Sequence, residues 1–129
     1  SHVNDRMNDP VDVQEVFKIL RPDECASLVQ RLVFEGSEDD LRDGFVHLST
    51  AAQAPGTAAK HFAGDADLWL LRLESASLRE SLHWEESRGG ALFPHLYRPL
   101  KIEDVVWAQP LPLVDGVHEF PAGLGEASK

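Results

Sequence analysis

The feature that most constrains this chain is the run Leu68-Trp69-Leu70-Leu71-Arg72-Leu73, apolar at five of its six positions. A run this short and continuous fits a strand covered on both faces, because a one-sided strand alternates apolar with polar residues. The rest of a 129-residue chain must supply both covering layers. That length supports one core, whereas two domains would each lie near the lower limit for independent folding. The expected organisation is therefore a polar lead-in over 1–13, a single domain over 14–121 and a tail over 122–129. The six residues ahead of Met7 read as a remnant of cloning.

Other elements emerge from local pattern. Val16-Phe17-Lys18-Ile19-Leu20 is rich in strand formers. Pro22, with Asp23 and Glu24 behind it, starts a helix whose stripe is Cys25, Leu28, Val29, Leu32 and Val33, and Gly36 stops it. The acidic stretch from Ser37 to Asp43 reads as a solvated loop. Gly44 to Ser49 reads as a second strand. A second helix starts either at Thr50, which has capping-box spacing to Gln53, or near Pro55, and runs to Phe62 with Gly64 closing it. Ser75 to Ser81 is a turn, and short strands are expected at 82–85, 105–108 and 117–120. Two main helices in the N-terminal half and about six short strands define an α+β domain.

Charge narrows the partners. Twenty-two acidic against twelve basic residues give a net charge of −10, a field that repels phosphate backbones and anionic membranes. Nucleic acid is thus an improbable partner. No stretch approaches the ~20 apolar residues of a membrane span, and the N-terminus lacks a signal-peptide run. The single cysteine, Cys25, forms no internal disulfide, which points to the reducing cytoplasm. Oligomeric state and protein partners stay open.

Polar chemistry concentrates in two stretches. His47, Ser49 and Thr50 end a strand, and Thr57 and His61 stand four apart on the next helix, sharing a face. Such a strand end and helix start can hold an anion. The plainer alternative has Thr50 only capping the helix and His47 as an interior histidine. The second stretch runs from Trp84 to Tyr97, where Trp84 and Tyr97 could stack on a flat ring, Arg88 could pair a phosphate, and Glu85 could stabilise a cationic centre. His95 lies in the same stretch. Here the alternative is a solvated Glu85–Glu86 pair beside a Gly-rich turn, with Trp84 and Tyr97 in the core. The histidines at 47, 61, 83, 95 and 118 lack metal-motif spacing, so no metal site is expected. Phosphate-loop and serine-nucleophile motifs are absent.

Taken in order over about residues 15–121, Val16 to Leu20, Asp43 to Thr50, His61-Phe62-Ala63-Gly64, and Trp84-Glu85 with Ser87 to Tyr97 resemble the bacterial family called domain of unknown function 952. The resemblance implies an ADP-ribosyltransferase-like fold, with two small mixed or antiparallel sheets around a cleft where relatives hold NAD. Val46-His47-Leu48-Ser49 is also similar to a strand of the RNA 2′-phosphotransferases. Their His-Gly-Thr has Lys18-Ile19-Leu20 in its place here, and Asp43 puts acid where they use base. The resemblance thus implies an NAD, ADP-ribose or nucleotide cleft, with NAD the candidate substrate. His47, Ser49 and Thr50 would hold ribose or phosphate, Arg88, His95 and Tyr97 would line the opposite wall, and Glu85 would be the catalytic carboxylate. The competing reading is a binding module that kept the cleft without turnover, and a metal-dependent hydrolase ranks last.

Overall fold

The computed structural model describes residues 15–124, except for the side chain of Arg88. The lead-in, and the tail beyond 124, lie outside the described residues. In chain order the elements are β1 (Val16–Leu20), α1 (Pro22–Arg31), β2 (Val33–Phe34), α2 (Glu38–Asp43), β3 (Val46–His47), β4 (Ser49–Thr50), α3 (Ala54–His61), β5 (Leu68–Leu73), α4 (Ser75–Leu78), β6 (Leu82–Glu86), β7 (Leu92–Leu96), β8 (Leu100–Lys101), β9 (Val105–Leu111), β10 (Leu113–Val114) and β11 (Val117–His118). One sheet has the order β4-β1-β5-β9 and a second β3-β7-β6, while β2–β8 and β10–β11 form separate pairs. All these pairings are antiparallel.

β5 is the covered strand its composition requires. It lies between β1 and β9, with Leu68, Leu70, Leu71 and Leu73 all buried. Because side chains alternate across a strand, Leu71 and Leu73 enter one core with Val16, Leu20, Phe34 and Leu96. Leu68 and Leu70 enter the other with Phe17, Ile19, Ala58 and Phe62. β1 divides its apolar residues between the same two cores. Full burial of each such leucine contributes about 1.5–3 kcal/mol. Leu124, beyond the expected domain end at 121, packs against the second core.

The helices depart from expectation. α1 stops at Arg31, not at Gly36, because Leu32 turns left-handed at φ 67°. Its inward stripe is correspondingly narrow: Leu28 is buried, but Val29 and Leu32 are 61% and 58% exposed. Ser37 to Asp43 is not a loop. Ser37 and Asp40 form a reciprocal capping box that starts α2, so a run of acids becomes a helix with its charges at the positive end of the dipole. α3 takes the later of the two expected starts. Thr50 and Gln53 exchange backbone-to-side-chain bonds in a turn ahead of it, and Gly64 comes after it at φ 78°. The segment from Ser75 contains a fourth short helix, α4.

The larger sheet is incomplete along one edge. β4 pairs with only Val16 and Phe17 of β1, leaving Lys18 to Leu20 bonded to β5 alone on the other side. A cavity occupies the space that β4 leaves open.

Candidate functional site

The cavity, about 290 Å³, is bounded by the open edge of β1, by α2, by the start of β4, by α3 and by the β6–β7 hairpin. Phe17, Ile19, Phe62 and Phe93 form apolar walls. Its polar side begins with Lys18, the one charged residue of an otherwise apolar strand, whose side chain is 7% exposed. Lys18 Nζ donates to Asp40 Oδ2 at 3.0 Å and to the carbonyl of His47 at 3.0 Å. A buried ammonium persists only with such partners.

Asp40 is the hub. Besides Lys18 it accepts the backbone N–H of Ser37 at 2.9 Å and that of His47 at 3.0 Å. His47 Nδ1–H donates to Oδ1 at 2.6 Å. Burial pushes this carboxyl toward its neutral form, but the His47 bond, the Lys18 charge and the two backbone donors prevail, holding it well below the usual carboxylate range. Gly36 makes the approach possible: at φ 139° a side chain there would place its Cβ 2.7 Å from that of Asp40.

His47 takes its place from this frame. α2 ends at Gly44, φ 90°, and the chain turns directly into β3. The imidazole Nδ1 is fixed by Asp40, and Nε2 lies 3.0 Å from Asp43 Oδ2. Arg42 holds Asp43 in turn at 3.0 Å, and this hydrogen bond keeps the Asp43 carboxyl below the ordinary range against a smaller desolvation cost. Ser49 Oγ and Thr57 Oγ1, both in the cavity lining, share a 2.9 Å hydrogen bond. A carboxylate-oriented imidazole beside paired hydroxyls can hold sugar hydroxyls, and it can give or take a proton at Nε2.

Of the residues singled out from sequence, His47, Ser49, Thr57 and His61 line this cavity. Thr50 is buried and bonded to Gln53 instead. Trp84 packs against the first core, its Nε1 buried without a partner among the described residues. Arg88 begins a one-turn segment before β7, and its side chain lies outside the described residues.

Glu85, His95 and Tyr97 form a second cluster outside the cavity lining. Glu85 Oε1 accepts from His95 Nδ1–H at 2.8 Å and from the Tyr97 hydroxyl at 2.7 Å. These two bonds, the His95 bond foremost, lower the Glu85 carboxyl, and the same carboxylate raises the Tyr97 phenol. The clusters share one face of the smaller sheet, since His47 pairs with His95, and His95 with His83. Phe45 bridges them, stacked on His95 at 4.0 Å and tilted on His47 at 4.7 Å.

Lys18, Asp40 and the phenylalanine walls join the site without being among the residues that the sequence pattern singles out. Two signals were present: a lysine inside an apolar strand, and the Ser37-x-x-Asp40 spacing of a capping box. Among the described residues no group of three His, Cys, Asp or Glu side chains could hold a metal ion. Cys25 is partly buried on α1, where burial raises its thiol. No described helix is long and apolar enough to cross a membrane.

These features define an α+β domain with a cavity at a sheet edge, floored by a buried lysine–aspartate–histidine network. Residues 19–108 match the family model described as "Protein of unknown function (DUF952)", and the chain belongs to that family. The crystal structure of protein CC0527 from Caulobacter crescentus is 48% identical to it. That match covers 88% of this chain and 97% of that one, with a TM-score of 0.78. The solution NMR structure of CC0527 gives 51% identity, coverage of 80% and 90%, and a TM-score of 0.72. No curated protein matches the chain.

Proposed function

We propose that the cavity binds a compound of the NAD, ADP-ribose or nucleotide class, within a cleft of the ADP-ribosyltransferase type. One observation carries this reading. The partly exposed Phe93, suited to a flat heterocycle, and the apolar wall of the buried Phe17 and Phe62 share a cavity with the Ser49–Thr57 hydroxyl pair and His47, suited to ribose. The volume accommodates a nucleoside-sized part of such a ligand. His47, Ser49 and Thr57 grip the sugar, and His61 borders it. Thr50 shapes the turn that presents Ser49. The lone Cys25 is the basis for placing this activity in the reducing cytoplasm.

A second reading, binding without turnover, is favoured by the position of Glu85. Glycosyl transfer from NAD builds positive charge at the sugar, which a nearby carboxylate stabilises. Asp40 already accepts four donors, and Glu85 is committed to His95 and Tyr97 outside the lining. Thermal denaturation with NAD, ADP-ribose, nucleosides and nucleoside monophosphates tests the binding reading. A ligand at 100 times its Kd adds ~2.7 kcal/mol, which raises Tm by about 10 °C in a domain of this size. An unchanged Tm across the panel rejects it. Release of nicotinamide from bound NAD separates transfer from binding alone.

A further inference from the structure

We propose that the site is bipartite: a second recess, joined to the cavity across Thr57 and Phe93, takes the anionic part of the ligand through Lys60. The inference rests on the nucleotide-class reading above and assigns the two halves of such a ligand to separate places. Thr57 and Phe93 line both hollows. The second, about 410 Å³, runs between α3 and the loop joining β6 to β7, bordered by Gln53, Lys60 and Gly89. Gln53 Nε2 donates to the carbonyl of Leu92 at 2.8 Å, tying the turn before α3 to the hairpin across this groove.

Charge decides which half goes where. In the first cavity Asp39, Asp40 and Asp43 face Lys18 and Arg42, and both cations are consumed. Lys18 pairs with Asp40, and Arg42 pairs with Asp39 and Asp43. A phosphate entering there meets a surplus of carboxylate at short range. An uncharged or cationic ring and its sugar do not. In the second recess the charge balance reverses, because Lys60 forms no ion pair among the described residues and no carboxylate borders it. On a chain of net charge −10, an unmatched lysine at the mouth of a groove is where an anion gains most. Gly89 stands at φ 74°, and a Cβ there would meet nothing within 4 Å, so the loop leaves room above the groove.

Calorimetry of the full chain, with a nucleoside and its 5′-monophosphate as paired probes and ADP-ribose as the longer one, tests the assignment. The expected result is tighter binding of the phosphorylated probes, an advantage that shrinks as salt rises. Lys60→Gln should weaken the phosphorylated probes about five- to tenfold while leaving the nucleoside unchanged. Phe93→Ala should weaken both. Lys60 is exposed, so an unchanged Tm of Lys60→Gln verifies its fold. If the probes bind and His47→Ala weakens them but Lys60→Gln changes nothing, the second recess falls and the nucleotide reading stands. If none of the probes binds the wild type, both fall.

Discussion

Two histidines stand side by side on the smaller sheet, their imidazole centroids 5.6 Å apart, each bonded to a carboxylate, Asp40 of α2 or Glu85 of β6, yet their surroundings differ. Asp40 is 1% exposed, with a buried lysine as third member. Glu85 is 43% exposed, with a tyrosine as third member. The bond to Nδ1 is short in both, 2.6 Å and 2.8 Å. What separates them is desolvation. A buried charge that loses its partner cannot fall back on water, whereas an exposed one can. The first pair therefore buries its carboxylate and opens its imidazole to the cavity, and the second buries its imidazole, His95 at 7% exposed, and leaves its carboxylate in solvent.

The largest expected effect breaks the first pair. Asp40→Ala strands the Lys18 ammonium and should cost about 3–5 kcal/mol in urea unfolding. A loss below ~1 kcal/mol would erase the distinction between the pairs. Next comes pH. Because the folded Asp40 carboxyl lies below its unfolded value of roughly 3.9, its contribution is complete above that value. It disappears as pH falls through the folded value. Asp104 acts in the same direction: burial raises its carboxyl, but the bonds from Arg98 and the Lys101 N–H outweigh that and leave it lowered. Stability should decline on acidification below about pH 4, and Asp40→Asn should flatten that decline while Glu85→Gln leaves most of it. The smallest effect belongs to Glu85→Gln itself, within about 1 kcal/mol and weaker at high salt. Tyr97 is the only tyrosine, so ultraviolet titration reads it without overlap. Its ionisation should move to lower pH in Glu85→Gln, because the carboxylate that disfavours the phenolate is gone.

The same contrast explains what the sequence made legible. β5 was readable because continuous apolarity has one inexpensive interpretation, burial on both faces. His47, Ser49, Thr57 and His61 were readable as neighbours because they lie close in the chain. Asp40 was not. Its partner Lys18 is 22 residues away, and the Ser37-x-x-Asp40 spacing marks a helix start but says nothing of burial. The end of α1 was equally hidden, since Leu32 adopts a left-handed conformation that its side chain does not favour. Glu85, His95 and Tyr97 were visible as a group, but whether they faced the cavity depended on how the hairpin packed.

β1 faces a core on each side, and this fixes more than its own position. A slip of one residue along β5 would exchange the side chains of the two cores and carry Lys18 to the opposite face from Asp40. The lysine thus acts as a peg that only one alignment accepts. Assembly of the cavity and alignment of the central sheet are then a single event. A sheet zipped out of register cannot form the lysine–aspartate–histidine network, and loosening the network by acid or substitution should be felt first in the amide protection of β1.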